Sequence, residues 1–293
     1  MATAYYSHAE CRMHDMGAGH PECPERLDAI EDRLLITGVA DALERYDAPE
    51  ASLADIELAH GRMHIAALRG LSDRLNEELM AGGPNYAQID TDTSINAHTW
   101  KASLRAAGAA LAATDAVMAG EVENAFCSVR PPGHHACRDK AMGFCFFNNV
   151  AIAAKHAVER HGLKRVAIVD FDVHHGNGTE HVFANNPKIL MCSTFQSPLY
   201  PFSGGLEGAR NMVNCPIQPG GGREEIKHAI QTHWVDAIDR FKPQLVLVSA
   251  GFDAHESDPL ADMTLTTEDY GWITKFLVRV ADEYCDGKLV STL

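Results

Sequence analysis

The sequence predicts an α/β fold with a mainly parallel central sheet. Residues 125–129, 164–169 and 245–250 are short apolar runs of the kind that form strands buried on both faces. Helical segments separate these runs, and this alternation is typical of parallel sheets whose strands are joined by helices. Histidine or aspartate residues follow each run. Because ligands of such sheets collect beyond the carboxyl ends of the strands, we expect the functional site at that edge.

The remaining elements follow from helix propensity, capping residues and loop formers. Pro24 suits the first turn of a helix, and Thr266 is a suitable N-cap for the last helix. The alanine-rich segment 100–118 has high helix propensity. Glycine, proline and polar residues predict loops or turns at 17–26, 81–85, 89–94 and 197–205. We predict further strands at 4–8, 189–194 and 288–292, and further helices at 30–37, 64–80, 149–161, 179–183 and 224–241.

Composition narrows the class of protein. The 293 residues carry a formal net charge of −15, which argues against direct binding of nucleic acid, since a phosphate backbone requires a basic surface. The eight cysteines form no CxxC pair, and the sequence shows neither a signal peptide nor an apolar run long enough to span a membrane. We expect one domain over residues 1–293, in a soluble cytoplasmic protein that does not bind membranes. Homo-oligomer formation stays open.

The polar residues after the run 164–169 predict a metal site. Asp170, Asp172 and His174 alternate along the chain, so we expect them to project to one side where the strand ends. Two carboxylates and one imidazole at a strand end suit a divalent metal ion. The alternative is a solvated acidic loop whose aspartates cap a helix.

Two other strand ends carry residues of the same kind. His134 and His135 follow the run 125–129, and Asp253 follows the run 245–250. A tandem histidine by itself is more typical of a surface loop. Its position after Pro-Pro-Gly at a strand end, beside the predicted metal site, favours a functional pair.

Four motifs in this order resemble those of the histone deacetylase superfamily. The likeness is closest to its class II and bacterial histone deacetylase-like amidohydrolase branch, and it covers nearly the whole chain from HPE at 20–22 onward. One such motif is a weak signal, whereas four in the right order are a strong one. The motifs are RPPGHH at 130–135, GFCFFN at 143–148, DFDVHHGNG at 170–178 and SAGFD at 249–253.

This resemblance implies an arginase-like three-layer α/β/α fold with one catalytic zinc ion. Carried over to this sequence, the zinc ligands would be Asp172, His174 and Asp253. Three protein ligands leave a position for water, as catalytic zinc sites require. An oxygen-rich ligand set also suits other divalent ions such as Fe²⁺.

The resemblance assigns proton transfer to the tandem histidine. His135 is the better candidate for the general base, and His134 would be its partner, tuned by the buried carboxylate of Asp170. Asn177 occupies a position that often holds aspartate in class I members. We therefore expect His135 to be less strongly biased toward its protonated form.

The resemblance also implies structural potassium, in one or two sites. The second site would lie near Phe183. The first would be formed by the side chains of Asp170 and Ser193 and by the main-chain carbonyls of Asp172, His174 and Thr194.

A narrow substrate channel is the last feature that the resemblance implies. Gly143 and Phe144 match one wall, and either Tyr200 or Phe202 would supply the opposite wall. Plain core packing is the alternative for these aromatic residues. Asp92 matches an acidic rim residue that would bind the substrate backbone, and turn capping is its alternative.

Two departures from related enzymes bear on this interpretation. Arginases hold a second manganese ion with an aspartate two residues after the one matched by Asp253, where this sequence has His255, so one metal ion is favoured. We expect Asp258 to cap a turn.

In the deacetylase family Gly-Gly-Tyr follows the last strand, and its phenol binds the developing oxyanion. The sequence stops at Leu293, where we expect that segment to begin, so the C-terminus is interpreted as truncated or as lacking a donor worth about 10²–10³ in rate.

The functional hypotheses differ mainly in substrate. The first is a zinc-dependent deacetylase acting on acylated lysine peptides or related acylated amines. The second is an acetylpolyamine amidohydrolase, whose usual insertion is not identifiable in residues 13–24. A metal-stabilised module that binds acylated ligands without turnover is the third, although it would not need two proton-transfer groups. The ligand pattern disfavours a ureohydrolase.

Overall fold

An eight-stranded sheet forms the centre of the computed structural model, which describes residues 2–205 and 208–293. A separate antiparallel hairpin is formed by β3 and β4. The strands are β1 Thr3–Ser7, β2 Leu43–Asp47, β3 Tyr86–Gln88, β4 Ser94–Asn96, β5 Asn124–Cys127, β6 Val166–Asp170, β7 Ile189–Gln196, β8 Met212–Ile217, β9 Leu245–Ser249 and β10 Leu289–Thr292. The order in the large sheet is β2-β1-β5-β10-β9-β6-β7-β8, with every neighbouring pair parallel.

Helices cover both faces of the sheet. A 3₁₀ turn at Val39–Ala42 precedes β2, and a π turn at Ile230–Trp234 interrupts the helix that was predicted as continuous over 224–241. The α-helices are α1 Glu10–Met13, α2 Glu25–Ile36, α3 Leu53–Ile56, α4 Arg62–Met80, α5 Thr99–Ala119, α6 Asn149–Glu159, α7 Asn177–Phe183, α8 Arg223–Ala229, α9 Val235–Phe241 and α10 Thr267–Tyr284. Within the described residues, none of these helices has the length and apolarity needed to cross a membrane.

Alternating side chains of the central strands enter two separate hydrophobic cores. Val166 and Ile168 of β6 pack on the face covered by α5 and α6, whereas Val169 packs on the face covered by α8 and α10. In β9, Leu247 and Val248 divide in the same way. Strands buried on both faces have no polar face, which is why they appear in the sequence as continuous apolar runs. The predicted three-layer α/β/α fold is confirmed, while the single domain over residues 1–293 stays a prediction.

The end of β6 differs from the expectation of a continuing strand. The strand ends at Asp170, so Asp172 and His174 lie in the following turn and do not alternate along a strand. The sheet order places the carboxyl ends of β5, β10, β9 and β6 side by side. Residues that are distant in the sequence therefore meet at one edge.

Candidate active site

A cavity of about 460 Å³ opens at the carboxyl edge of the sheet. Its walls come from the start of α2 and the loop before it, from the turn between β3 and β4, from the loops that follow β5, β6, β7 and β9, and from Leu293 after β10. Open sheets of this type bind ligands at this edge because several loops converge there. Residues predicted from the sequence that line the cavity are Asp92, His134, His135, Gly143, Phe144, Asp172, His174, Tyr200 and Asp253.

Asp172, His174 and Asp253 converge on one point of this cavity. Nδ1 of His174 lies 3.0 Å from Oδ1 of Asp172 and 2.9 Å from Oδ2 of Asp253. All three ligand atoms lie within 4.8 Å of one another. The backbone holds this arrangement, because Val173 N donates to Asp253 Oδ1 at 2.9 Å. Gly251 is required nearby, since a Cβ there would collide with the Asp172 carboxylate.

The chemistry of this ligand set fits a single divalent ion such as zinc. Tetrahedral zinc with bonds of about 2.0–2.2 Å places neighbouring ligand atoms about 3.4 Å apart. The two distances from Nδ1 of His174, 3.0 and 2.9 Å, are within about 0.5 Å of that spacing. His255 stands where a ureohydrolase has a ligand of its second metal; it does not line the cavity, and its Nδ1 accepts from Ser257 N at 3.1 Å. Asp258 caps a turn as expected, accepting from Leu260 N at 2.9 Å.

His134 is held by a carboxylate beneath the cavity. Its Nδ1 lies 3.0 Å from Oδ2 of the fully buried Asp170, and its Nε2 lies 3.8 Å from Oδ2 of Asp172. Burial favours the neutral ring, but the carboxylates of Asp172 and Asp170 outweigh it and raise the pKa of His134 to about 9. His134 is therefore the cationic member of the pair.

His135 is held by a neutral partner. Its Nδ1 lies 2.7 Å from Oδ1 of Asn177. Burial, together with the positive charge of His134, keeps the pKa of His135 well below its usual range. Gly143 packs directly on this ring, with φ +54, and a Cβ at that position would collide with the imidazole. The pair thus combines one cationic and one neutral imidazole, 4.0 Å apart between ring centroids.

The loop of the two histidines is fastened to the helices behind it. Asn148 caps α6 by accepting from Ala151 N at 3.0 Å, and its Nδ2 donates to Ala136 O at 3.3 Å. A Cβ at Gly133 or Gly178 would collide with neighbouring backbone, so only glycine permits this approach. Backbone contacts of this kind explain why glycines from two separate motifs lie around the tandem histidine in the fold.

The four predicted channel residues occupy different parts of the cavity wall. Phe144, with φ 69, donates its backbone N–H to Thr93 Oγ1 at 3.0 Å. Tyr200 stands edge-on to His135, with ring centroids 5.3 Å apart. Phe202, the alternative for this wall, is 80% exposed and does not line the cavity. Asp92 lines the cavity, and its Oδ1 accepts from Thr93 Oγ1 at 2.8 Å, so the rim position is open to it while turn capping stays a prediction.

One orphaned hydroxyl bears on the predicted potassium site. Oγ of Ser193 is buried without a hydrogen-bond partner among the described residues, and Ser193 pairs in register with Asp170 across β6 and β7. An oxygen of this kind beside a buried carboxylate fits a hard cation. Near the second predicted site, the Phe183 carbonyl instead accepts from Asn211 Nδ2 at 2.9 Å.

Sequence reasoning did not assign a role to the buried ion pair behind the cavity. Arg130 is fully buried and donates to both carboxylate oxygens of Glu22, at 2.5 and 2.6 Å. Burial raises the pKa of Glu22, but His14 and Arg130 outweigh this and hold it well below its usual range. Glu22 is the last residue of the HPE motif, and Arg130 is the first residue of the RPPGHH motif. The sequence offered one sign of this ion pair, because Arg130 is a charged residue directly after the apolar run 125–129.

Comparison with known proteins gives the family. The model of the histone deacetylase domain matches residues 20–293. The chain belongs to the histone deacetylase family. A histone deacetylase-like amidohydrolase of Pseudomonas aeruginosa is 38% identical over 282 residues, covering 93% of this chain and 71% of the relative. The crystal structure of the HDA15 HD domain superposes with a TM-score of 0.90 at 32% identity, covering 100% of this chain and 83% of that one.

One relative carries a more specific name. Human polyamine deacetylase HDAC10 is 37% identical over 297 residues, covering 96% of this chain but 44% of the human protein. Membership of the histone deacetylase family confirms the predicted resemblance and implies a deacetylase or amidohydrolase activity. The family does not by itself select the substrate.

Proposed function

We propose that this chain is a zinc-dependent deacetylase that hydrolyses N-acyl-lysine in peptides, or a related acylated amine. One observation carries the proposal: the Asp172, His174 and Asp253 cluster faces the same cavity as the His134 and His135 pair. A module that only binds acylated ligands needs the metal cluster but has no use for two imidazoles of opposite charge state beside it.

The residues support a division of labour in amide hydrolysis. Zinc held by Asp172, His174 and Asp253 would polarise the acyl carbonyl and acidify the attacking water. His135 is neutral, so its Nε2 accepts a proton from that water as the C–O bond forms. The same Nε2 then gives the proton to the amine nitrogen as the C–N bond breaks, which leaves a carboxylic acid and a free amine. The acid loses its remaining proton, so the final products at neutral pH are a carboxylate and an ammonium ion. His134 keeps its proton and stabilises the negative charge that develops on the carbonyl oxygen.

Further parts of the proposal concern the surroundings of this site. Phe144 and Tyr200 grip the alkyl stem of an acyl-lysine, and Asp92 accepts a hydrogen bond from the substrate backbone. A potassium ion at Asp170, Ser193 and the neighbouring carbonyls fixes the turn that carries the zinc ligands. All eight cysteines are free, which suits a reducing compartment such as the cytoplasm.

A second candidate substrate is an acylated polyamine. Asp92 and Asp258 both line the cavity, and carboxylates at its mouth suit a cationic ligand. The likeness to a polyamine deacetylase points the same way. The chemistry at the metal would be identical, so only substrate preference separates the two candidates.

Amide hydrolysis of a fluorogenic acetyl-lysine peptide and of acetylputrescine tests the proposal. The zinc-loaded chain would be compared with His135→Ala and with a form extended past Leu293 by Gly-Gly-Tyr. Turnover of the peptide that depends on His135, in one or both forms, is the expected result. Turnover of the amine alone would assign the polyamine substrate. If zinc binds tightly but neither the chain nor its extended form hydrolyses either substrate, the proposal of an enzyme is contradicted and a binding module is favoured.

A further inference from the structure

A second cluster of potential metal ligands lies at the edge of the sheet opposite the cavity. Asp115 is near the C-terminal end of α5, His156 is in the last turn of α6, and His161 follows α6. Because α5 and α6 lead into β5 and β6, these helix ends lie at the amino edge of the strands. The five residues of β6, at about 3.3 Å each, separate this edge from the cavity by about 16 Å.

The three side chains converge on one carboxylate oxygen. Nε2 of His156 and Nε2 of His161 each lie 2.6 Å from Oδ1 of Asp115. All three ligand atoms lie within 4.8 Å of one another, the same limit that the cavity cluster meets. The two rings are inclined by 70° with centroids 5.4 Å apart, so they present their Nε2 edges to a common point and do not stack.

The surroundings leave this point accessible and without a competing cation. The Asp115 side chain is 53% exposed, whereas that of His156 is 11% exposed. Within residues 2–205 and 208–293, the ion-pair partners of Asp115 are the two histidines, with no lysine or arginine among them. Nδ1 of His156 is buried without a partner in the described part of the chain, so contacts at Nε2 alone orient this ring.

We propose that Asp115, His156 and His161 form a second metal site, which binds a divalent transition-metal ion such as zinc. Two imidazole nitrogens and one carboxylate oxygen favour Zn²⁺, Ni²⁺ or Cu²⁺ over Mg²⁺ and Ca²⁺, which prefer oxygen ligands. The exposed side of the cluster leaves the remaining coordination positions to water. None of these three residues lines the cavity of the candidate active site. Its effect is to join the ends of α5 and α6, and an ion bound only by the folded chain stabilises it by mass action.

Zinc stoichiometry at buffered free zinc tests this site independently of turnover. The variants are Asp253→Asn, which removes a cavity ligand, His161→Ala and Asp115→Asn, which remove ligands of the second site, and the double variant Asp253→Asn/His161→Ala. His233→Ala is the matched control, because this histidine is exposed and far from either cluster in the sequence. Circular dichroism verifies that each variant is folded.

We expect two zinc ions in the parent chain and in His233→Ala. Each single ligand variant should retain one ion, and the double variant none. Zinc should also raise the melting temperature of Asp253→Asn but not that of the double variant. One ion in the parent that is lost in Asp253→Asn, or an unchanged stoichiometry in both His161→Ala and Asp115→Asn, would overturn the second site. One ion that is retained in Asp253→Asn but lost in His161→Ala would support the second site and contradict the metal in the cavity. Loss of both ions in Asp253→Asn would instead place two metals in the cavity and equally overturn it.

Discussion

Nδ1 of His135 lies 2.7 Å from Oδ1 of Asn177, and this contact fixes the proton on the ring. Nδ2 of Asn177 faces the sulfur atoms of Cys137 and Met142, each at 3.5 Å, so the amide oxygen is the atom turned toward His135. A carboxamide oxygen can only accept, so Nδ1 must donate. In the neutral ring, Nε2 therefore carries the lone pair toward the cavity. A neutral partner orients this imidazole without favouring its protonation.

Asn177→Asp should move the pH dependence of hydrolysis. A carboxylate at this distance favours the imidazolium and raises the pKa of His135. Because the base must be unprotonated, activity is lost as pH falls through this pKa, and the raised pKa shifts that loss to higher pH. The pH profile of kcat/KM measures the shift. Asn186→Asp makes the same charge change beside Lys188 N, away from the cavity, and should leave the profile in place. An unshifted acid limb in Asn177→Asp would refute the role of His135 as base.

The two aromatic residues of the loop after β7 should differ in their effect on substrate binding. Tyr200→Ala removes an aromatic wall of the cavity, and burial of such a side chain is worth about 1.5–3 kcal/mol, or about 10–100-fold in kcat/KM. Phe202→Ala is the matched control, since that ring is 80% exposed, and should change kcat/KM less than twofold. Steady-state kinetics with an acetyl-lysine peptide measures both. Equal losses in the two variants would contradict the assignment of Tyr200 to the channel.

Potassium should stabilise the chain through Ser193. The unpartnered Oγ of this residue would become a ligand of the bound ion. The melting temperature should therefore be higher in potassium chloride than in tetramethylammonium chloride at equal ionic strength. Ser193→Ala should lose most of that difference. Ser103→Ala, which removes another buried hydroxyl without a partner, should retain it. The same potassium response in both variants would argue against this site.

His60 should make stability depend on pH below neutrality. Its Nε2 accepts from Asn148 N at 2.8 Å, and burial followed by the charge of His64 lowers the pKa of His60 to about 3. An unfolded histidine titrates near 6.5, so between pH 6.5 and 3 the unfolded chain binds more protons than the folded one. The contribution is therefore fully present above pH 6.5 and is lost as pH falls, with a slope of up to about 1.4 kcal/mol per pH unit.

Urea unfolding at several pH values checks the contribution of His60. His60→Gln keeps an acceptor for Asn148 N but does not titrate, so its free energy of unfolding should fall less steeply below pH 6.5. His233→Gln, at an exposed position, should follow the parent chain. Parallel curves for His60→Gln and the parent would show that His60 is protonated in the folded state.

The sequence predicts the buried strands best because their residues face apolar neighbours on both sides. β6 has the sequence VAIVD and β9 the sequence LVLVS, each with a single polar residue at its C-terminal end, and their predicted positions were correct to within two residues. The two edge strands were missed. β2 has the sequence LERYD and is largely exposed, while β8 contains asparagine and proline, so neither shows an apolar run. Edge strands derive their order from pairing with a neighbour, which a local pattern does not reveal.

The site residues that lie close together in the sequence were the easiest to predict. Asp170, Asp172 and His174 lie within five positions, so their association was visible in one motif. Asp253 was visible as a polar residue at the end of another strand, and its assignment to the same metal site came from the family resemblance. The strand order of the structure shows why the two strand ends meet. Asp115 and His156 are 41 positions apart on two helices, and only the packing of α5 on α6 brings them together. Phe202 and Tyr200 were indistinguishable in the sequence, because two neighbouring aromatic residues in a loop do not show which one turns inward.

A catalytic metal centre in the cavity is tested most directly by the zinc content and the peptide turnover of Asp253→Asn, compared with those of Asp236→Asn. Asp236 lies on the exposed face of α9, 75% exposed in its side chain, so its substitution makes the same chemical change away from any cluster. We expect Asp253→Asn to lose one zinc ion per chain. Its deacetylase activity should fall about 10³-fold or more, because a metal contributes several kcal/mol to catalysis. Asp236→Asn should match the parent in both. Full zinc content and full turnover in Asp253→Asn would contradict a catalytic metal centre at this cavity.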